Sequence, residues 1–136
     1  MSRNWMGKAA TVLIGLAGAI VPTAAAFSQT ITLKSGQSAD LFPVYWIENC
    51  VSQLDHFAGV EIVSGPPGLK LSLRQQDVKA VRQNCSAPVP GAIVVVTAPE
   101  ISQPSSGTLK YKVRYVLKNG GGNRDSEHSR QIALVP

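Results

Sequence analysis

The residues of this chain best placed to do chemistry are cationic, and they recur at a period of two. Lys110, Lys112 and Arg114 alternate with Leu109, Tyr111, Val113 and Tyr115 in residues 108–118, TLKYKVRYVLK. Side chains two apart on a strand share a face, so the pattern sets cations about 7 Å apart along one side and an apolar, partly aromatic stripe along the other. Arg124 and Arg130 follow in the last segment and are expected to extend the row. Such a surface binds phosphates, carboxylates or an acidic protein by charge and hydrogen bonding. Lysines on an exposed strand also simply keep a sheet soluble and its edge unpaired. Tyr111 and Tyr115 fall on the face opposite the charges, where they cannot interleave with them to stack nucleic-acid bases, so no nucleic-acid partner is expected.

The remaining candidates are weaker. Asp55-His56 invites an acid–base reading, but neighbours in sequence do not generally face each other, and no G-x-S-x-G or comparable nucleophile setting accompanies them. Asn123, Asp125, Glu127 and His128 crowd one Gly-rich segment without the ligand spacing of a calcium loop, and Arg124 and Arg130 oppose a cation there. A copper site needs a Cys and two His converging, and neither His56 nor His128 has a Cys motif around it. No catalytic residue, metal or cofactor is therefore expected. Cys50 and Cys85 are the only cysteines, and they form no C-x-x-C and have no adjacent His or Lys to lower a thiol pKa. In an oxidising compartment one disulfide is the expectation. Asn84-Cys85-Ser86 formally matches a glycosylation acceptor, which a disulfide at Cys85 disfavours.

The oxidising compartment follows from the first residues. Arg3 and Lys8 precede an apolar run over residues 9–21, and Ala24-Ala25-Ala26 supplies a small-x-small cleavage site. The run is too short for the roughly 20 residues of a membrane span, so residues 1–26 read as a signal peptide without a transmembrane anchor. The protein is then periplasmic or secreted, with residues 27–136 as one domain. Without Arg3 and Lys8 the net charge is +3, where the whole chain carries +5. Residues 27–107 hold five basic and six acidic side chains, so the excess lies in residues 108–136.

The elements that must position these groups read as short strands. Residues 30–34 and 41–47 open the series, with Pro43 placing the second on an edge or at a bulge and Trp46 directed to the core. Val51, Leu54, Phe57 and Ala58 recur at three and four residues, which fits a short helical turn capped by Asn49 or a disulfide-tethered loop. Residues 59–63 and 69–74 alternate around SGPPG and read as a hairpin, with Pro67-Gly68 in a type II turn. A weaker strand is expected at 78–82 and a central one at 93–97. The organising strand 108–118 is expected to pair, across a loop at 119–127, with 128–135. Seven or eight strands without a long helix describe an all-β sandwich with one disulfide.

The order of these strands, SGPPGL before a strand, GTLKYKVRYVLKNG near the end and the closing RQIALVP together resemble small immunoglobulin-like β-sandwiches of about seven antiparallel strands. More closely they are similar to short secreted proteins of unknown function from alphaproteobacteria. The disulfide departs from the antibody pattern, since Trp46 precedes Cys50 and Gln83, not a Tyr, stands two residues before Cys85. It is therefore not expected to join the two sheets. The resemblance bears on fold; the segregation of charge into residues 108–136 points to a non-enzymatic binding or structural module. Through its basic C-terminal hairpin (Lys110, Lys112, Arg114, Arg124, Arg130) it would contact an envelope protein or an anionic glycan or lipid. Two alternatives remain. One is a small periplasmic hydrolase or hydrolase inhibitor using the loops at one end, favoured if His56 or His128 meets a carboxylate and a Ser. The other is a strand-accepting or strand-donating factor, favoured by a long exposed sheet edge near Pro43.

Overall fold

A computed structural model describes residues 29–81 and 83–136. The expected signal peptide lies outside the described residues, as does Arg82 at the end of the weak strand expected at 78–82. Among the described residues the regular structure is β-strand alone: β1 (Thr30–Lys34), β2 (Ser38–Val44), β3 (Ile47–Glu48), β4 (Val51–Ser52), β5 (Leu54–Ser64), β6 (Lys70–Val78), β7 (Val89–Thr97), β8 (Ser105–Leu117) and β9 (Gly122–Val135). Four form one sheet in the order β1-β9-β8-β5, three form a second in the order β2-β7-β6, and β3-β4 is a small separate hairpin. All described pairings are antiparallel except that of β1 with β9.

The alternation of residue types explains the layering. Leu109, Tyr111, Val113 and Tyr115 of β8 are buried, and Ile132 and Leu134 of β9 join them. From the second sheet, Ala92, Val94 and Val96 of β7 complete the same cluster, so one core draws on the inward faces of both sheets. The odd-numbered residues of β7 face away from that core. A satellite cluster of Val78, Ala80, Cys85 and Val89, joined by Tyr45, Ile47 and Ile93, lies apart from it.

Several elements differ from the expectation, each for a local reason. The three-and-four spacing at Val51, Leu54 and Phe57 is not helical. β3 and β4 turn through Asn49 and Cys50, both at positive φ (50° and 62°), as a two-residue hairpin loop requires, and β5 begins at Leu54. β5 is then shifted in register against β8 at three places, between Leu54 and His56, Phe57 and Gly59, and Ile62 and Ser64. Each bulge adds a residue, which turns a period of two locally into three. Residues 59–63 and 69–74 do not form a hairpin either, because β5 and β6 belong to different sheets and SGPPG crosses between them. Gly68 has φ +85° as the proposed turn needs. The expected loop at 119–127 is a tight turn only. Asn119 and Gly120 carry positive φ, the Gly121 amide donates to the Lys118 carbonyl at 2.9 Å, and β9 starts at Gly122.

Candidate binding cleft

The register of β8 against β9 decides where the cations go. Lys112 stands opposite Glu127 on one side and Glu61 of β5 on the other, while Arg114 stands opposite Asp125. Arg114 also donates through Nη2 to Glu61 Oε1. Lys112 and Arg114 thus stand among three carboxylates, whereas Lys110 stands opposite Ser129 and Ser64. Residues directly opposite in a ladder share a face, and Arg124 pairs with Tyr115 while Arg130 pairs with Leu109. Arg124 and Arg130 therefore lie on the other side of the sheet, and the expected five-residue cationic row does not form. On the second sheet, Arg74 spans to Asp40 with Nη1 and Nη2 at 3.1 and 2.7 Å from its two carboxylate oxygens. Hydrogen bonding to Arg74 holds the Asp40 carboxyl below its usual range.

The inward face of β9 has the more distinctive chemistry. Ser126, His128 and Arg130 precede Ile132 and Leu134 on this face, so the strand is apolar inside only at its C-terminal end. The Ser126 hydroxyl lies 2.6 Å from the Tyr115 hydroxyl and 2.9 Å from His128 Nε2. The His128 ring stacks on Tyr111 with centroids 5.3 Å apart. The Arg130 guanidinium lies 4.7 Å from the centre of the Phe42 ring, a cation–π contact. Its Nε is buried without a hydrogen bond, and no carboxylate among the described residues forms an ion pair with it.

What faces these groups is the end of β2. Pro43 and a register shift between Asp40 and Pro43 break the ladder to β7, so that Leu41 points inward, Phe42 is exposed and Val44 points inward again. This bears out the reading of Pro43 as an edge-and-bulge residue. The chain then passes over Gly91, where an added Cβ would lie 2.5 Å from the Val44 carbonyl oxygen, and it delivers Tyr45 to the satellite cluster and Trp46 beside Tyr115. Trp46 packs on Tyr115 with ring centroids 5.2 Å apart, and Tyr45 donates its hydroxyl proton to Gln83 Oε1 at 3.2 Å. Between this segment and β9 is a cleft of about 430 Å³, with Phe42, Tyr45 and Trp46 on one side and Tyr115, Ser126 and His128 on the other. The sequence contained one signal for it, the Asn-Gly pair at 119–120. A two-residue turn there forces the following polar residues into a strand.

Burial raises the pKa of both tyrosines behind the cleft. Tyr111 is pushed up to about 12 by desolvation, against a smaller opposing pull from Arg130. Tyr115 is raised by desolvation and partly relieved by its bond to Ser126. The Tyr111 hydroxyl has no hydrogen-bond partner, although the Phe42 backbone passes near it. A folded-state pKa above the unfolded value of about 10 gives stability that is present below pH 10 and lost as pH rises toward 12, a loss of roughly 2 to 3 kcal/mol for a shift of this size. The melting temperature is expected to fall over that interval. Tyr111→Phe should remove most of the fall and raise stability at neutral pH by about 1 kcal/mol, because it deletes an unpaired buried hydroxyl. An alkaline transition unchanged in Tyr111→Phe would refute this assignment.

Ser126 and His128 are disposed like a hydroxyl and its base, but none of the described residues lining the cleft is acidic and Ser126 is shared with Tyr115. Asp55 and His56 do meet, with Nδ1 2.6 Å from Oδ2, because the adjacent bulge in β5 turns both side chains to one side. Both are more than half exposed. No group of three His, Cys, Asp or Glu among the described residues is arranged to hold a metal ion. The disulfide joins Cys50 to Cys85 with Cα atoms 5.6 Å apart, outside both larger sheets, as expected. No helix among the described residues is long and apolar enough to cross a membrane. No protein-family model, curated protein or solved structure matches the chain.

Proposed function

We propose that the chain is a non-enzymatic binding module of the periplasm or extracellular space, with an immunoglobulin-like sandwich, and that it holds an envelope component in the cleft between the end of β2 and β9. The strand orders support the fold assignment. β2, β7 and β6 correspond to strands B, E and D of that architecture and β5, β8 and β9 to C, F and G, with the first strand moved onto G. The observation that carries the function is the cleft itself, a concave site with three aromatic rings along one wall and a few convergent polar groups along the other. The final hairpin remains the interaction surface, now through its inward face. Its outward cations Lys112 and Arg114 already stand beside Glu61, Asp125 and Glu127.

Capture from envelope extract at low and high salt tests this. Phe42→Ala, at a ring 43% exposed, should weaken capture about tenfold or more if the cleft is the site. The triple variant Lys110→Gln, Lys112→Gln, Arg114→Gln should leave it unchanged. The opposite result would place binding on the outward face. The Ser126–His128 contact favours a second reading, a small hydrolase. The same preparations address it, because ester turnover abolished by Ser126→Ala would establish that chemistry.

A further inference from the structure

Strand β9 runs from Gly122 to Val135, but β1 pairs only with residues 131–135. No strand among the described residues pairs with the remaining edge, residues 122–130, on the side away from β8. That stretch presents a row of backbone N–H and C=O groups, which native sheets usually blunt. Of the strands that end the two sheets, β1 and β6 are also regular, while the other two are blunted. β5 carries three register shifts, and β2 carries Pro43 and a bulge. The edge of β9 contains neither a proline nor an irregularity, for its register with β8 is continuous from Leu117↔Gly122 to Ser105↔Leu134. The edge of β9 differs from those of β1 and β6 in being also the wall of the cleft, through Ser126 and His128.

The charges on this edge select what can add to it. A second copy of the chain pairing antiparallel through the same residues, centred on Ser126, would set Asp125 against Glu127 twice, and centring on either acid would set it against itself. Like charges directly opposite are destabilising. The half-buried Arg130, by contrast, has a guanidinium resting on Phe42 with no carboxylate partner among the described residues.

We propose that residues 122–130 accept an extended acidic peptide strand of another protein. Its backbone would continue the β1-β9-β8-β5 sheet, its alternate side chains would enter the aromatic cleft, and one carboxylate would pair with Arg130. Main-chain hydrogen bonds supply affinity in such strand addition, and the pockets for alternate side chains supply specificity. The proposal rests on the cleft being a binding site and names the class of occupant.

The test uses the full chain and three synthetic nine-residue peptides at up to millimolar concentration. One alternates Thr and Glu, one alternates Thr and Lys, and one is the Thr/Glu sequence N-methylated at alternate residues. Amide hydrogen exchange reports on the edge. The Thr/Glu peptide should slow exchange within residues 122–130 about tenfold or more, and the N-methylated form should not bind. Arg130→Gln should weaken binding about tenfold, whereas Lys110→Gln should not affect it. Equal binding of the Thr/Glu and Thr/Lys peptides, binding without protection of the amides in residues 122–130 that point away from β8, no binding of any peptide, or protection of those same amides in the free chain would each overturn the proposal. Capture that depends on Phe42 yet goes to an oligosaccharide, with no protection of this edge, would overturn the strand and leave the cleft as the binding site.

Discussion

Replacing both cysteines, Cys50→Ala with Cys85→Ala, is expected to destabilise the protein by about 3 to 4 kcal/mol, since the bridge closes a loop across 35 positions. That is a large part of the stability of a domain of this size and corresponds to a fall in melting temperature of about 10 °C or more. The loss should not be uniform. Cys50 sits in the β3-β4 turn at a positive φ unusual for a residue with a side chain, and Cys85 sits in the connection from β6 to β7. Otherwise these segments are held together by the satellite cluster around Val78, Ala80 and Val89 and by the hydrogen bond from Tyr45 to Gln83. Tyr45 and Ile47 belong to that cluster and to the cleft. Reduction should therefore loosen the cleft before the main core, with amide exchange accelerating first around residues 45–53 and 79–89. A melting temperature within about 3 °C of the parent, or uniform acceleration of exchange, would contradict this account.

Gly91→Ala is the second large effect. A Cβ at this position would lie 2.5 Å from the Val44 carbonyl oxygen, 2.7 Å from Val78 Cγ2 and 3.3 Å from Tyr45 Cβ. The nearest obstacle is backbone, so relief requires the crossing segment at Val44 and Tyr45 to lift off β7. Overpacking of this kind costs about 1 to 3 kcal/mol. Tyr45 and Trp46 would move with it, so ligand capture should fall beyond what the stability loss explains. Gly36→Ala makes a useful control for the backbone cost alone, because its added Cβ meets nothing although φ is +73°. Equal stability losses in the two variants would refute the steric argument.

These effects mark where the sequence was legible. Strict alternation in residues 108–118 located β8 and its buried face, because a strand covered on one side leaves a period-two record. Pro43 announced an edge and a bulge because it cannot donate to a ladder. The same logic failed at β5, where bulges overwrote the alternation. It failed at 122–127, where the inward positions are polar and carry no apolar signature. Arg124 and Arg130 were assigned to the wrong face for that reason. Facing depends on register, and the register of β9 is set by the Asn-Gly turn. The cleft was invisible for a different reason. Its walls come from residues 42–47, 81, 83, 115, 126 and 128, and only pairing across both sheets brings them together.

The parallel pairing of β1 with β9 has a consequence for timing. The first strand, Thr30–Lys34, finds its ladder only in residues 131–135, about a hundred positions later. Closing so distant a contact is slow on the scale of folding events, and it is impossible before residues 131–135 have emerged. A chain organised in this way stays open while it is being made and completes its larger sheet in one late step. The ladder between the first and the ninth strand is thus gated by the availability of residues 131–135, whatever the rest of the chain has already built.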